Sequence, residues 1–134
     1  MKLILLAVVL AWPATALADV PALCADAPNQ MEATACASHK LASVNGALSR
    51  AYDALASKLD PLGRHNLDRA QSAWLTYHDL ECNLETGYDA EHVDRNGTIL
   101  PMLLGEYAVD LTEKRIRQLQ EQMRCPGGDL SSTQ

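Results

Sequence analysis

Phenylalanine is missing from all 134 residues, and two Trp and four Tyr bring aromatics to only 4%. β-Branched residues are few, and no run alternates apolar with polar side chains. Strands draw on β-branched and aromatic residues at period two, so the composition argues against a sheet. Cations are also short: 11 Lys and Arg stand against 17 Asp and Glu, a formal charge of −6. Nucleic acids and anionic membrane surfaces require basic patches, so neither is expected as a partner. No CxxC pair occurs, which excludes a zinc ribbon and a thioredoxin-type redox site. Neither a Gly-rich phosphate loop nor an activated-nucleophile pattern is present, so no catalytic residue, enzymatic activity or cofactor is expected.

The one long apolar run lies at the start. Lys2 precedes the unbroken run Leu3 to Ala11, and Ala16-Leu17-Ala18 follows with small residues where a signal peptidase reads. Residues 1–18 are therefore expected to be a signal peptide cleaved after Ala18, with a single domain over 19–134. The run is short of the roughly 20 apolar residues that span a bilayer. Leu23 before Cys24 is a poor lipidation signal, so a periplasmic or secreted protein without membrane insertion is the reading. Loss of the leader leaves 10 cationic against 17 acidic residues, a formal −7. Such a surface steers basic partners toward itself.

Four cysteines follow the leader: Cys24, Cys36, Cys82 and Cys125. An even number in a small exported domain implies disulfides.

Periodicity predicts an all-α fold. Leu41, Val44, Leu48, Tyr52, Leu55 and Leu59 recur at steps of three and four, giving a helix over about 28–59. Pro28 suits its first turn, and Asp26 or Asn29 its cap. Asp60-Pro61-Leu62-Gly63 reads as a turn. A second helix then runs to about Glu85 with Leu67, Ala70, Trp74, Tyr77 and Leu84 on one face. Trp74, Tyr77 and Tyr52 are expected in the core. The polar stretch from Gly87 to Thr98 reads as an exposed loop. A third helix spans about 99–124, its stripe being Leu100, Leu104, Tyr107, Leu111, Ile116, Leu119 and Met123. The architecture expected is a small antiparallel bundle, a helical hairpin with a third helix.

Several polar positions stand out. Gln71, Asp79, Thr112 and Arg115 are polar within helices and are expected to be structural, with Asp79 and Arg115 placed to bridge the second and third helices. Glu81 and Glu85 share a face, as paired carboxylates of a glycosidase would, but read as a solvated face. His39, His78 and His92 read as isolated surface histidines, and no metal site is expected. The loop carries acids, a tyrosine and flexible ends, so Tyr88, Asp89, Glu91, His92 and Asp94 are the candidate partner contacts.

Motif order adds a resemblance. Cys24 and Cys36 flank Gln30-Met31-Glu32, and Leu48-Ser49-Arg50-Ala51-Tyr52 follows. Next come Ala70-Gln71-Ser72-Ala73-Trp74 and Tyr77-His78-Asp79-Leu80-Glu81-Cys82. Leu111-Thr112-Glu113-Lys114-Arg115 and Cys125-Pro126-Gly127-Gly128 complete the series. This order resembles the lysozyme inhibitor LprI-like family of bacterial envelope proteins over nearly the whole of 19–134, with Gln71, Trp74, Tyr77, Asp79, Thr112 and Arg115 as motif residues. The family usually carries Asn where this chain has Ser49, Arg where it has His78, and further cysteines near Tyr107 and Ser132.

The resemblance implies a non-enzymatic protein that occludes the cleft of a lysozyme-type muramidase, with a basic lysozyme as partner. An envelope structural, chaperone-like or toxin-immunity module binding another protein fits the same acidic surface. The resemblance also implies the pairs Cys24–Cys36 and Cys82–Cys125. Spacing leaves a rival open: Cys36 lies 25 residues before Pro61 and Cys82 lies 21 after it, at similar heights on adjacent helices. Cys36–Cys82 therefore stands as an alternative.

Overall fold

The computed structural model describes residues 24–124. The expected leader 1–18 and its cleavage site lie outside the described residues, as does Cys125. Three helices make up the fold: α1 (Gln30–Ala56), α2 (Pro61–Thr86) and α3 (Leu100–Arg124). A short 3-10 turn, Val93–Arg95, interrupts the connection between α2 and α3. No strand occurs among the described residues.

Local chemistry sets the helix ends. The Asn29 side chain accepts the Glu32 backbone N–H at 3.0 Å, leaving Pro28 just outside α1 rather than in its first turn. At α2, Asp60 accepts from the Gly63 N–H at 2.6 Å and Pro61 occupies the first turn, where its missing N–H costs nothing. Gly87 ends α2 at φ 70°, the left-handed conformation that glycine adopts freely. The Tyr88 N–H then returns to the Asn83 carbonyl.

α1 and α2 run antiparallel, yet the closest pairing is between α1 and α3. These two are parallel: Ala37 faces Gly105, while Leu48, Ala51 and Leu55 share a buried cluster with Leu119. Leu67 of α2 closes that cluster, and Trp74, Tyr52, Ile116 and Met123 pack around it. A second cluster, Cys82, Ala108 and Leu111, with Leu41, Leu104 and Tyr107 against it, joins all three helices toward the loop end.

α2 is the loosely held member. It meets α1 only sparingly and α3 along part of its length. Three residues expected on its buried stripe lie outside: Ala70 is exposed, Tyr77 is 49% exposed and Leu84 is 74% exposed. Their spacing is helical and apolar as predicted, but α1 and α3 bury each other, and α2 buries only Leu67 and Cys82 against them. Trp74 and Tyr52 are half-buried against the core.

Before α1 the chain doubles back through a turn at Cys24 to Asp26, and Cys24 bonds Cys36 with Cα atoms 6.1 Å apart. Cys36 is thereby occupied, so the alternative Cys36–Cys82 bridge is absent. Glu106 on α3, itself buried, accepts the Cys24 backbone N–H at 3.3 Å and ties this turn to the bundle. Cys82 is buried and has no disulfide partner among the described residues. No described helix is long and apolar enough to cross a membrane.

Candidate functional site

The connection after α2 is ordered by its own side chains. Asp89 Oδ1 accepts the backbone N–H groups of Glu91 and His92, each at 3.0 Å, and Asp89 Oδ2 lies 3.1 Å from His92 Nδ1. Asn96 closes the other side: its Oδ1 accepts the Asp89 N–H at 2.9 Å and its Nδ2 donates to the Asp89 carbonyl at 3.0 Å. A side chain that mimics backbone partners in this way holds a loop without secondary structure. The five residues expected to meet a partner therefore divide. Asp89 is turned inward as the loop's clamp and Tyr88 is half-buried, whereas Glu91, His92 and Asp94 are exposed.

The end of α2 extends this acidic surface. Tyr107 on α3 is pushed up to about 12 by burial first, and then by Glu85, Glu81, Tyr77 and Asp110. Those carboxylates surround the phenol, so the face beside the loop is negative as well as apolar. Lys114 partly offsets it through a 2.6 Å ion pair with Asp110.

The helical motif residues gather elsewhere, along the seam where α2 leans on α3. Arg115 Nε donates to Gln71 Oε1 at 3.0 Å, and its guanidinium carbon stands 5.9 Å from the Trp74 ring centroid. Arg115 also reaches Gln118 at 3.4 Å, and burial lowers its pKa. Asp79 does not take part. It is highly exposed and pairs with the neighbouring His78, whose Nδ1 lies 3.0 Å from Asp79 Oδ1. The partner of Arg115 is thus an uncharged amide two turns earlier on α2, which spares the seam a second desolvated charge.

Beside Trp74 and Gln71, a groove opens between α1 and α2, with Thr112 of α3 among its lining residues. His78 packs its ring 5.1 Å from that of Trp74, tilted by 48°. Thr112 is fully buried. Two side-chain atoms of groove residues, Thr112 Oγ1 and His78 Nε2, are buried without a hydrogen-bond partner; Thr112 is singled out in the sequence as a polar helical position, whereas His78 reads there as a surface histidine. A threonine inside an apolar helical stripe was the one available signal. At the rim, the Tyr52 hydroxyl donates to Asp68 and links α1 to α2.

Among the described residues no three His, Cys, Asp or Glu side chains converge as a metal site would require.

Comparison with known proteins places this arrangement. An uncharacterized protein of Rhizobium meliloti (strain 1021) is 28% identical over 113 aligned positions, which cover 75% of this chain and 78% of that protein. No solved structure matches. The family described as Lysozyme inhibitor LprI matches residues 24–119, from the first disulfide cysteine to the buried Leu119 of α3. The chain belongs to the LprI lysozyme-inhibitor family.

Proposed function

We propose that this protein is an exported, non-enzymatic inhibitor that docks on a basic lysozyme-type muramidase and covers its cleft. Family membership supports the activity. One observation supports the place of contact: the Asp89–Asn96 clamp presents Glu91, His92 and Asp94 outward on a loop that is already ordered. A preformed loop loses little conformational freedom on binding, which favours affinity. Its carboxylates, with Glu81 and Glu85 behind them, steer a cationic partner and speed encounter. Export by a leader ending at Ala18 fits an oxidised Cys24–Cys36 pair.

The test is lysis of bacterial cell walls by several classes of lysozyme in the presence of the oxidised protein. A second arm replaces residues 88–94 by a Gly-Ser segment of equal length, with helical content checked by circular dichroism. Inhibition by the wild-type protein and its loss in the folded loop variant are expected. Retained inhibition by that variant rejects the loop as the interface. Failure of the wild-type protein against every class rejects the activity.

A further inference from the structure

We propose that the groove between α1 and α2 is a binding site for a neutral saccharide bearing hydroxyl and acetamido groups. It lies apart from the loop assigned to the muramidase contact and does not depend on that reading. The inference starts from two unpaired atoms. Thr112 has no exposed surface, yet its hydroxyl makes no hydrogen bond, even to the backbone carbonyl one turn earlier. Leaving a buried hydroxyl unpaired is destabilising, and folded proteins rarely do so without cause. His78 Nε2 is in the same condition. His78 Nδ1 faces Asp79 Oδ1 at 3.0 Å, and the tautomer with its proton on Nδ1 offers Nε2 as a bare acceptor. Both residues line one groove of about 440 Å³, within the roughly 300–1,000 Å³ typical of small-molecule sites.

The remaining walls choose the ligand class. Asn45, Ser49 and Gln71 contribute neutral amides and a hydroxyl, Leu48, Leu75 and Trp74 contribute apolar surface, and Tyr52 and the largely exposed carboxylate of Asp79 complete the lining. No Lys or Arg lines the groove, which disfavours phosphate and carboxylate ligands. An acyl chain is disfavoured too, since it would leave the polar groups dry and unpaired. A sugar ring satisfies both kinds of wall, with hydroxyls for the amides and C–H faces for the apolar side. Its acetamido group supplies an N–H for His78 Nε2 and a methyl for the leucines. Both unpaired atoms are shielded from solvent, so access requires α2 to swing outward; α2 touches α1 sparingly, with the Tyr52–Asp68 hydrogen bond as a tie between them.

Trp74 reports occupancy directly. Trp12 lies in the leader expected to be cleaved after Ala18, so Trp74 is the sole tryptophan of residues 19–134. With selective tryptophan excitation and without lysozyme present, tri-N-acetylchitotriose is titrated into the oxidised protein lacking the leader. A saturable change in emission is expected, weakened at least tenfold by Thr112→Val and by His78→Phe. Thr112→Val should melt at or above the parent temperature, because it removes an unpaired hydroxyl while keeping its shape. A flat titration overturns the proposal, as does an affinity unchanged in Thr112→Val. A melting temperature for Thr112→Val well below the parent also overturns it, since the hydroxyl would then have a structural partner. Lysozyme inhibition is measured separately on the same variants, so failure of the groove and failure of the loop are distinguishable.

Discussion

A methyl group placed on Gly105 would stand 3.0 Å from the Cβ of Ala37. The parallel pair α1 and α3 is therefore as close as two small residues allow, and the bundle is built around that contact. Gly105→Val should destabilise the fold by about 1–3 kcal/mol, the usual penalty for overpacking. Gly105→Ala should lose much less, because the roughly 1 kcal/mol gained in helix propensity offsets the crowding. Urea unfolding of both variants checks the order; equal stability of Val and glycine at 105 would mean that the helices stand further apart.

The Cys24–Cys36 bridge closes a short loop of sequence separation 12, and the turn it fixes is also held by Glu106. Replacing both cysteines by Ser should lower stability by about 2–3 kcal/mol through release of the unfolded chain. Hydrogen exchange should quicken at Cys24 and Ala27 before it quickens in the α1–α3 core. Loss of all helical signal in the variant would show instead that the bridge is a condition for folding.

Arg115 and Gln71 give a sharper test of the α2–α3 seam. A double-mutant cycle between Arg115→Leu and Gln71→Leu should report a coupling on the order of 0.5–1.5 kcal/mol, as for a half-buried hydrogen bond to a charged group. The same cycle between Arg115 and Asp79 should report none, because Asp79 faces His78.

The contrast between Asp79 and Gln71 shows where sequence reading stops. Three helices, their turn at Pro61 and the end of the second helix before the loop at Gly87 were legible because periodicity and turn chemistry are local. The same periodicity drew Tyr77 and Leu84 into the core, since it reports that a face is apolar but not whether another helix covers it. Charge complementarity suggested Asp79 for Arg115, whereas helix rotation brought Gln71 into reach. Glu106 was hidden for the same reason: its burial depends on the Cys24 turn folding over α3. Cysteine spacing alone left two pairings open for Cys36, and only the path of residues 25–29 decides for Cys24. The loop residues were chosen for charge and exposure, yet the clamp role of Asp89 needed the position of Asn96.

Alkaline pH should loosen the second cluster. Tyr107 is raised from 10.0 to about 12 by burial first, then by Glu85 and Glu81. The phenol is neutral in the fold at pH values where the unfolded chain would ionise it. Its contribution is therefore complete below about pH 10 and is lost as pH rises through 10 to 12. Stability measured over that range should fall, and the fall should be shallower in a Tyr107→Phe variant. An identical slope would mean that the phenol is not sequestered.

Asn96 separates order from contact in the proposed interface. Its side chain bonds the loop through Asp89 alone, by one accepted and one donated hydrogen bond, and the exposed residues lie between them. Asn96→Ala removes both bonds without changing a single outward-facing side chain. If inhibition depends on a preformed loop, this variant should inhibit severalfold more weakly while keeping the parent's helical content and near-parent melting temperature. The association rate should change little, because the steering charges of Glu91 and Asp94 remain; the loss should appear as faster dissociation. Glu91→Gln with Asp94→Asn should do the reverse, slowing association most at low salt. Should both variants slow association equally, the loop would be acting through its charge alone, and its order would be irrelevant to inhibition.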